Sequence, residues 1–329
     1  MAYTILNLAN CAVQGNTGPT PCNSEPGIIR YLVFVPKGTV IPHTAMASQT
    51  AFTTYVLGRL RHDNPALRWQ ITPKLYGFKD NTEQPKTQDQ DGTKVLTQMP
   101  PYNWEYSFAN GTTGATKNIH QIFRQRIHQQ QNLYSVFAID ENNLWIGQAT
   151  GTNVQPTLTA ADLSSIIVGD WGQATTSTAN SYKLMIALND NSQLNAFFGS
   201  VASTTLASSL TGLTDVTLFA GVTSSTSTHI YVSGRIGGAS LGARYGTVLD
   251  DALTAFVITD TTNTAKTFTI SAVSYDAAND QWDITGAWST SNTGDTVTVA
   301  LAAPSVMIAT PYFAPIVTEG TNIYTMTAP

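Results

Sequence analysis

The sequence predicts a mainly β protein: an antiparallel β-sandwich with one flanking helix, followed by a second β-sandwich domain. Three observations lead there. Short β-branched and aromatic runs, bounded by Gly, Pro, Asn and Asp, recur along the chain. A single segment carries a clear 3.6-residue apolar period. Beyond residue 203 the pattern changes to clean apolar/polar alternation, the mark of strands with one wet face. With 329 residues, 42% of them hydrophobic, the chain is long enough for two cores.

Residues 1–27 read as an N-terminal arm. It is rich in turn formers and holds Cys11 and Cys22, with no CxxC and no nearby His to complete a zinc site. The first confident strand is Ile28–Val35, whose near-continuous apolar run predicts burial on both faces. Weaker strands are expected at Ala51–Leu57 and Leu67–Ile71. Phe78–Lys94 is polar and aperiodic, with Asp80, Asn81, Pro85, Asp89, Asp91 and Gly92, and predicts a loop or extended arm. Lys117–Gln130 is the expected helix, with Ile119, Ile122, Phe123 and Ile127 along one stripe. Leu133–Ile139 and Leu144–Ile146 flank Asp140-Glu141-Asn142-Asn143 as a hairpin. Tyr182–Leu188 is a further strand, followed by a short amphipathic segment at Gln193–Val201.

Fourteen of the 26 residues from Ser203 to Thr228 are Ser or Thr, which predicts a linker with a domain boundary near residue 203. Residues 28–202 are then the first domain and 203–303 the second. Within the second, Phe268–Ala272, Trp282–Ile284 and Val297–Leu301 alternate, with a helical turn expected at Leu249–Leu253. Residues 304–329 read as strands returning to the first domain.

Charged residues are only 11% of the chain, against roughly 25% in an average domain. Uncharged polar groups carry the solubility. Sixteen basic and 21 acidic side chains leave −5, which argues against a dedicated nucleic-acid binder. No run approaches the roughly 18 apolar residues of a membrane span. The opening MAYTILNLAN has no basic region before an apolar one, so no secretory leader is expected.

Chemistry has little support. The five histidines are scattered, and His120 and His128 are spaced too far apart on a helix to share a metal. HExxH, GxSxG and GxxxxGK[ST] motifs are absent. Asp89-Gln-Asp91-Gly92 resembles the start of a calcium loop, but Pro100 stands where the closing ligand is required. Asp140-Glu141 and Asp250-Asp251 offer paired carboxylates, yet adjacent residues in a turn or strand point apart. Tyr102, Trp104 and Tyr106 form an aromatic stripe whose default is core packing. No catalytic residue, cofactor or metal is expected, and the chain reads as a non-enzyme.

The order of elements in residues 28–202 resembles the tail tube proteins of tailed bacteriophages: strands, a long polar loop, more strands, one flanking helix and a hairpin. The resemblance implies a virion structural subunit that forms rings, hexameric ones, stacked into a DNA conduit. Residues 78–94 would be the loop that reaches the neighbouring copy, and 117–130 the packed helix. Residues 203–303 would be an immunoglobulin-like insertion on the outer surface. Implied partners are other copies, other virion proteins and transiently passing DNA, with assembly in the host cytoplasm and final residence in the virion. Lumen carboxylates would come from Asp140, Glu141, Asp162 or Asp170. The alternatives are a capsid decoration or head-fibre protein and a carbohydrate-binding surface adhesin.

Overall fold

The computed structural model describes residues 6–7, 27–84, 86–90, 93–98, 100–108, 124–151, 155–172, 181–189, 198–309 and 311–329. Among them the chain is mainly β, built from antiparallel sheets and one two-residue parallel pair, with a few short helices. It divides into two units, one running up to Gly212 and one from Leu213.

The first unit holds β1 (Leu6–Asn7), β2 (Ile29–Pro36), β3 (Val40–Ile41), β4 (Gln70–Ile71) and β5 (Tyr76–Asp80). A two-stranded element follows, β6 (Lys86–Gln90) and β7 (Thr93–Gln98), and then β8 (Asn103–Phe108). The remainder are β9 (Tyr134–Asp140), β10 (Leu144–Gly151), β11 (Pro156–Thr159), β12 (Ala161–Gly172), β13 (Ser181–Leu188) and β14 (Phe198–Ala202). The main sheet runs β1-β14-β10-β9-β12-β13-β8-β5, with β2 also paired to β9 and β11 to β10.

As expected, β2 is buried on both sides. Leu32 and Phe34 enter one core, and Val33 and Val35 the other. Its partner β9 divides the same way, with Val136 and Ala138 opposite Phe137 and Ile139. The long strand β12 pairs β9 through Ala161–Asp162 and then β13 from Leu163 onward. The sheet thereby curls over itself, and Ile166, Val168, Leu184, Ile186 and Tyr106 cover the Leu32/Phe34 face.

The opposite face is covered by helix α1 (Gln49–Leu60). This corrects the expected strand at Ala51–Leu57. Thr53, Thr54 and Val56 suggest a strand, but Phe52, Val56 and Leu60 recur every four residues and are all buried. Ser48 caps the helix, its Oγ accepting from the Ala51 N–H at 3.1 Å. The expected strand at Leu67–Ile71 shrinks to β4 behind a short 3-10 turn, Pro65–Leu67.

Of the expected helix Lys117–Gln130, residues 117–123 lie outside the described residues, including Ile119, Ile122 and Phe123. Residues 124–126 are helical, and Ile127 is buried beside Leu32 and Phe34. The hairpin of β9 and β10 turns where expected, with Asn143 in the left-handed region at φ 59°.

The second unit contains β15 (Thr214–Asp215), β16 (Thr217–Ala220), β17 (His229–Ile236), β18 (Ala239–Ser240) and helix α2 (Gly242–Leu249). After these come β19 (Phe256–Asp260), β20 (Phe268–Asp276), β21 (Gln281–Trp288) and β22 (Thr296–Leu301). Helix α3 (Pro304–Ile308), β23 (Ile316–Val317) and β24 (Tyr324–Thr327) close the chain. One sheet runs β16-β17-β21-β20 and the other β19-β22-β24. Lettering these seven strands A to G in chain order gives A-B-E-D facing C-F-G, the order of a constant-type immunoglobulin sandwich. Trp282 fills the centre, 5.8 Å from the Phe256 ring and 5.1 Å from that of Tyr275.

Two expected boundaries move. The Ser/Thr-rich stretch 203–212 is no linker, because Ala207 and Leu210 are buried in the first unit's core beside α1. Gln49 accepts from the Thr204 N–H, and Arg61 donates to the Thr211 carbonyl at 2.9 Å. Residues 304–329 do not return to the first unit either. Strand β24 pairs β22, aligning Met326 with Val297 and Tyr324 with Val299. A sandwich closed at residue 303 would leave β22 an open edge and lack its seventh strand. The immunoglobulin-like unit thus runs from Leu213 through β24 and includes the strands expected to return to the first unit. The helical turn expected at Leu249–Leu253 begins earlier, as α2.

Candidate assembly interface

The segment Phe78–Lys94 is not an irregular loop. Phe78 and Asp80 lie on β5, Asp89 lies on β6, and β6 pairs β7 in an antiparallel hairpin. Pro85, Asp91 and Gly92 lie outside the described residues. The strands carry no periodic signal in the sequence because β6 is polar at every position, KTQDQ, so no apolar face exists to alternate. The pair forms its own two-stranded sheet and joins no other strand among the described residues. An isolated hairpin of this kind is marginally stable in water. Lys86, Gln88 and Asp89 are exposed.

The root of this arm is pinned. The Asn81 N–H donates to the Asn103 carbonyl at 2.8 Å, and the Asn103 N–H donates to Thr82 Oγ1 at 3.0 Å. Asn81 Nδ2 reaches Glu105 Oε2 at 3.3 Å. Across the next strand, Lys183 Nζ meets Glu105 Oε1 at 2.6 Å. That hydrogen bond is the main reason Glu105 is held below the usual carboxylate range. Asp80 turns the chain by accepting the Thr82 N–H at 2.9 Å. Fixed root and self-paired strands make the arm a distinct lever.

Beside the root, β5 is the terminal strand of its sheet and is exposed at every position. It bulges at Gly77, where φ is +62° and the register with β8 slips between Tyr76 and Lys79. The bulge leaves Tyr76 41% and Phe78 50% exposed, unusual for aromatic side chains. Phe78 rests 5.2 Å from the Tyr106 ring and 6.4 Å from that of Trp104. The aromatic stripe of β8 splits accordingly: Tyr106 is fully buried, and Trp104 and Tyr102 pack partly covered against the core. Tyr76, Lys79, Glu105 and Lys183 were not singled out from the sequence. The weak signal for them is the aromatic run Tyr76-Gly-Phe78 facing the alternation of β8.

The remaining candidates have structural duties. Asp140 is buried and organises its hairpin, accepting from the N–H groups of Gly27 (2.9 Å), Asn142 (2.8 Å) and Leu144 (2.8 Å). Glu141 pairs Arg30 at 3.4 Å on the surface, and Asp162 accepts from the Ser135 hydroxyl at 2.6 Å. Asp250 accepts the Tyr275 N–H at 2.8 Å, while Asp251 occupies a left-handed turn. His128 anchors the end of its helical turn, Nδ1 accepting from the Val168 N–H at 3.1 Å. His229 Nδ1 meets Asp283 Oδ1 at 3.0 Å and lies 3.3 Å from the Thr285 hydroxyl. Among the described residues no cluster of His, Cys, Asp or Glu is arranged to hold a metal ion, and no helix is long and apolar enough to cross a membrane. Cys11, Cys22 and most of the N-terminal arm fall outside the described residues.

The arm thus joins no other sheet among the described residues, and the edge strand β5 beside it is exposed at every position. Comparison with protein-family models, with curated proteins and with solved structures finds no match for this chain.

Proposed function

We propose that the chain is a virion structural protein, a bacteriophage tail tube subunit that closes into rings of six and stacks them into a DNA conduit. The observation that carries this reading is the hairpin of β6 and β7, which pairs with no other strand among the described residues and hangs from a pinned root. A hairpin without its own core gains stability when a neighbour covers it. An exposed sheet edge such as β5 is a ready template for such a neighbour. An arm in one place and a receptor in another make a heterologous contact, the kind that closes into rings when the rotation allows.

Charge supports the same reading. A conduit for DNA must not hold it, and each cation placed on a phosphate adds affinity. The net −5 and the lack of any basic run are compatible with a sliding surface. Asp140 is withdrawn from the lumen candidates, since its oxygens are committed to backbone N–H groups. Glu141 is exposed and Asp162 half-buried, so both remain available to face a channel. The subunit would assemble in the host cytoplasm with other virion proteins. A second reading, a capsid decoration or head-fibre protein, draws on the self-contained immunoglobulin-like unit, an argument from fold alone.

The test is electron microscopy of the purified full-length chain beside a variant lacking residues 86–98. The expected outcome is rings or tubes from the first and folded monomers from the second. Trimeric knobs would transfer the assignment to the decoration protein. Native particles from the shortened variant would remove the arm from the assembly argument.

A further inference from the structure

Three side chains of the immunoglobulin-like unit are not used by anything above: Asp260, Lys266 and Asp295. Asp260 ends β19 and is fully buried. Its Oδ1 accepts from the N–H groups of Thr262 (2.9 Å) and Asn263 (2.8 Å), which shapes the turn that follows. Its Oδ2 is enclosed and meets no hydrogen-bond donor. An orphaned carboxylate oxygen in the interior is costly unless a hydrogen-bond donor reaches it. What lies within its reach is the Asp295 carboxyl.

Asp295 Oδ2 is in turn in direct contact with Lys266 Nζ, and the two side chains are only 18% and 19% exposed. All three residues are held from behind. Thr267 bridges to Thr259, which places Lys266 beside the end of β19, and the Lys266 N–H donates to the Asn263 carbonyl at 3.0 Å. Asp295 is clamped through its backbone, donating to Asn292 at 2.9 Å and accepting from the Ala328 N–H at 2.7 Å. An amine, a carboxyl and an interior acid are thus fixed together on rigid backbone, the arrangement that turns a slow bimolecular condensation into an intramolecular one.

We propose that Lys266 and Asp295 join in an amide cross-link formed by the protein itself, with Asp260 moving the protons. The balance requires no other reagent. The pair starts as ammonium and carboxylate, since the Lys266 hydrogen bond holds Asp295 below the ordinary carboxylate range. Asp260 takes one proton from the ammonium and passes it to the Asp295 carboxylate, so that the freed lone pair of Nζ attacks Cγ of a neutral carboxyl group whose hydroxyl oxygen will depart. The C–N bond forms and a C–O bond breaks. The second amine proton follows the same oxygen, which leaves as water. No oxidant, metal or nucleotide takes part. The product ties the segment between β19 and β20 to the start of β22, and so links the two sheets of the sandwich.

The experiment is intact-mass measurement of the full chain, with tandem mass spectrometry of its proteolytic peptides. The expected result is a chain lighter by one water and a branched peptide joining Lys266 to Asp295. Lys266→Arg keeps the charge and should restore the full mass. Asp260→Asn keeps Oδ1 and its turn but cannot relay a proton, and it too should show full mass with an unchanged folded spectrum. A wild-type chain of full mass overturns the cross-link. A cross-linked Asp260→Asn chain overturns the role given to Asp260. The outcome is independent of whether the chain builds a tube, since it is read on the monomer.

Discussion

The two units bury their largest side chain in different ways. In the first, Trp145 lies on a sheet beneath a helix, 5.4 Å from Phe52 of α1 and 6.2 Å from Phe137. In the second, Trp282 lies between two sheets. The consequence reaches back to sequence. Strands β2 and β9, covered on both faces, read as unbroken apolar runs, whereas β20 to β22 alternate because one face is wet. A three-layer and a two-layer solution therefore write different patterns into the same chain.

The sharpest way to break this comparison is to cut the chain. If the units are self-contained, a chain ending at Gly212 keeps α1, both first-unit cores and Leu210. It should stay soluble, keep its helix signal and lose only one thermal transition. Excising residues 203–303 instead strips Ala207 and Leu210 from the first core and orphans β24 from β22. That variant should aggregate or lose cooperativity altogether. Calorimetry on both decides the matter, and a stable 203–303 deletion would show that the division at Gly212 is wrong.

How much of this was legible beforehand depends on whether the information is local. The buried runs at β2 and β9, the turn at Asp140–Asn143 and the alternation of β20 to β22 are local, and each was readable. Helix α1 was misread because its β-branched threonines obscured the four-residue spacing of Phe52, Val56 and Leu60. The Ser48 cap before that spacing was the overlooked signal. The arm was found by position but not by structure. Asp91-Gly92, the strongest short hairpin signal, stood in the middle of it. Strand β12 went unanticipated because SSII alternates poorly. The destination of the C-terminal strands could not be read at all. A strand's own residues specify its faces, while its partner is chosen by the edge left open elsewhere, here on β22. Among the candidate residues, Phe78, Asp80 and Asn81 proved to sit at the arm's root. The pinning by Glu105 and Lys183 depends on pairing with β13, which is equally non-local.

The same substitution in the two helices should give opposite signs. Gly58 on α1 is exposed, and a methyl group there meets nothing within 4 Å. Gly58→Ala should stabilise the first unit by about 0.5–1 kcal/mol through lower unfolded-state entropy. Gly246 on α2 lies under the Tyr275 ring, where an added Cβ would fall 2.4 Å from a ring carbon. Gly246→Ala should therefore cost the second unit about 1–3 kcal/mol, the range for overpacking. Thermal scans of both variants test the contrast. Equal and favourable shifts would mean that the Tyr275 ring is free to move away, and that the second core is looser than its packing implies.

The smallest effect concerns Tyr106, buried against the inner face of β2 with a hydroxyl that meets no hydrogen-bond partner. Burial, reinforced by the nearby Asp80, raises its ionisation well above that of a free phenol. The sign follows from which state gives up the proton first. The unfolded chain ionises this group near pH 10, while the folded chain retains the proton to higher pH. The stability associated with the neutral phenol is thus fully present below about pH 10 and is lost progressively as the pH climbs beyond it. Tyr106→Phe removes the titration and the orphaned hydroxyl together, so at neutral pH it should change stability by less than about 1 kcal/mol. At alkaline pH the variant should outlast the parent in its first-unit transition and leave the second unchanged. Parallel alkaline limbs for variant and parent would place the phenol in contact with water, and would mean that the β8 face of the first core is open at its edge.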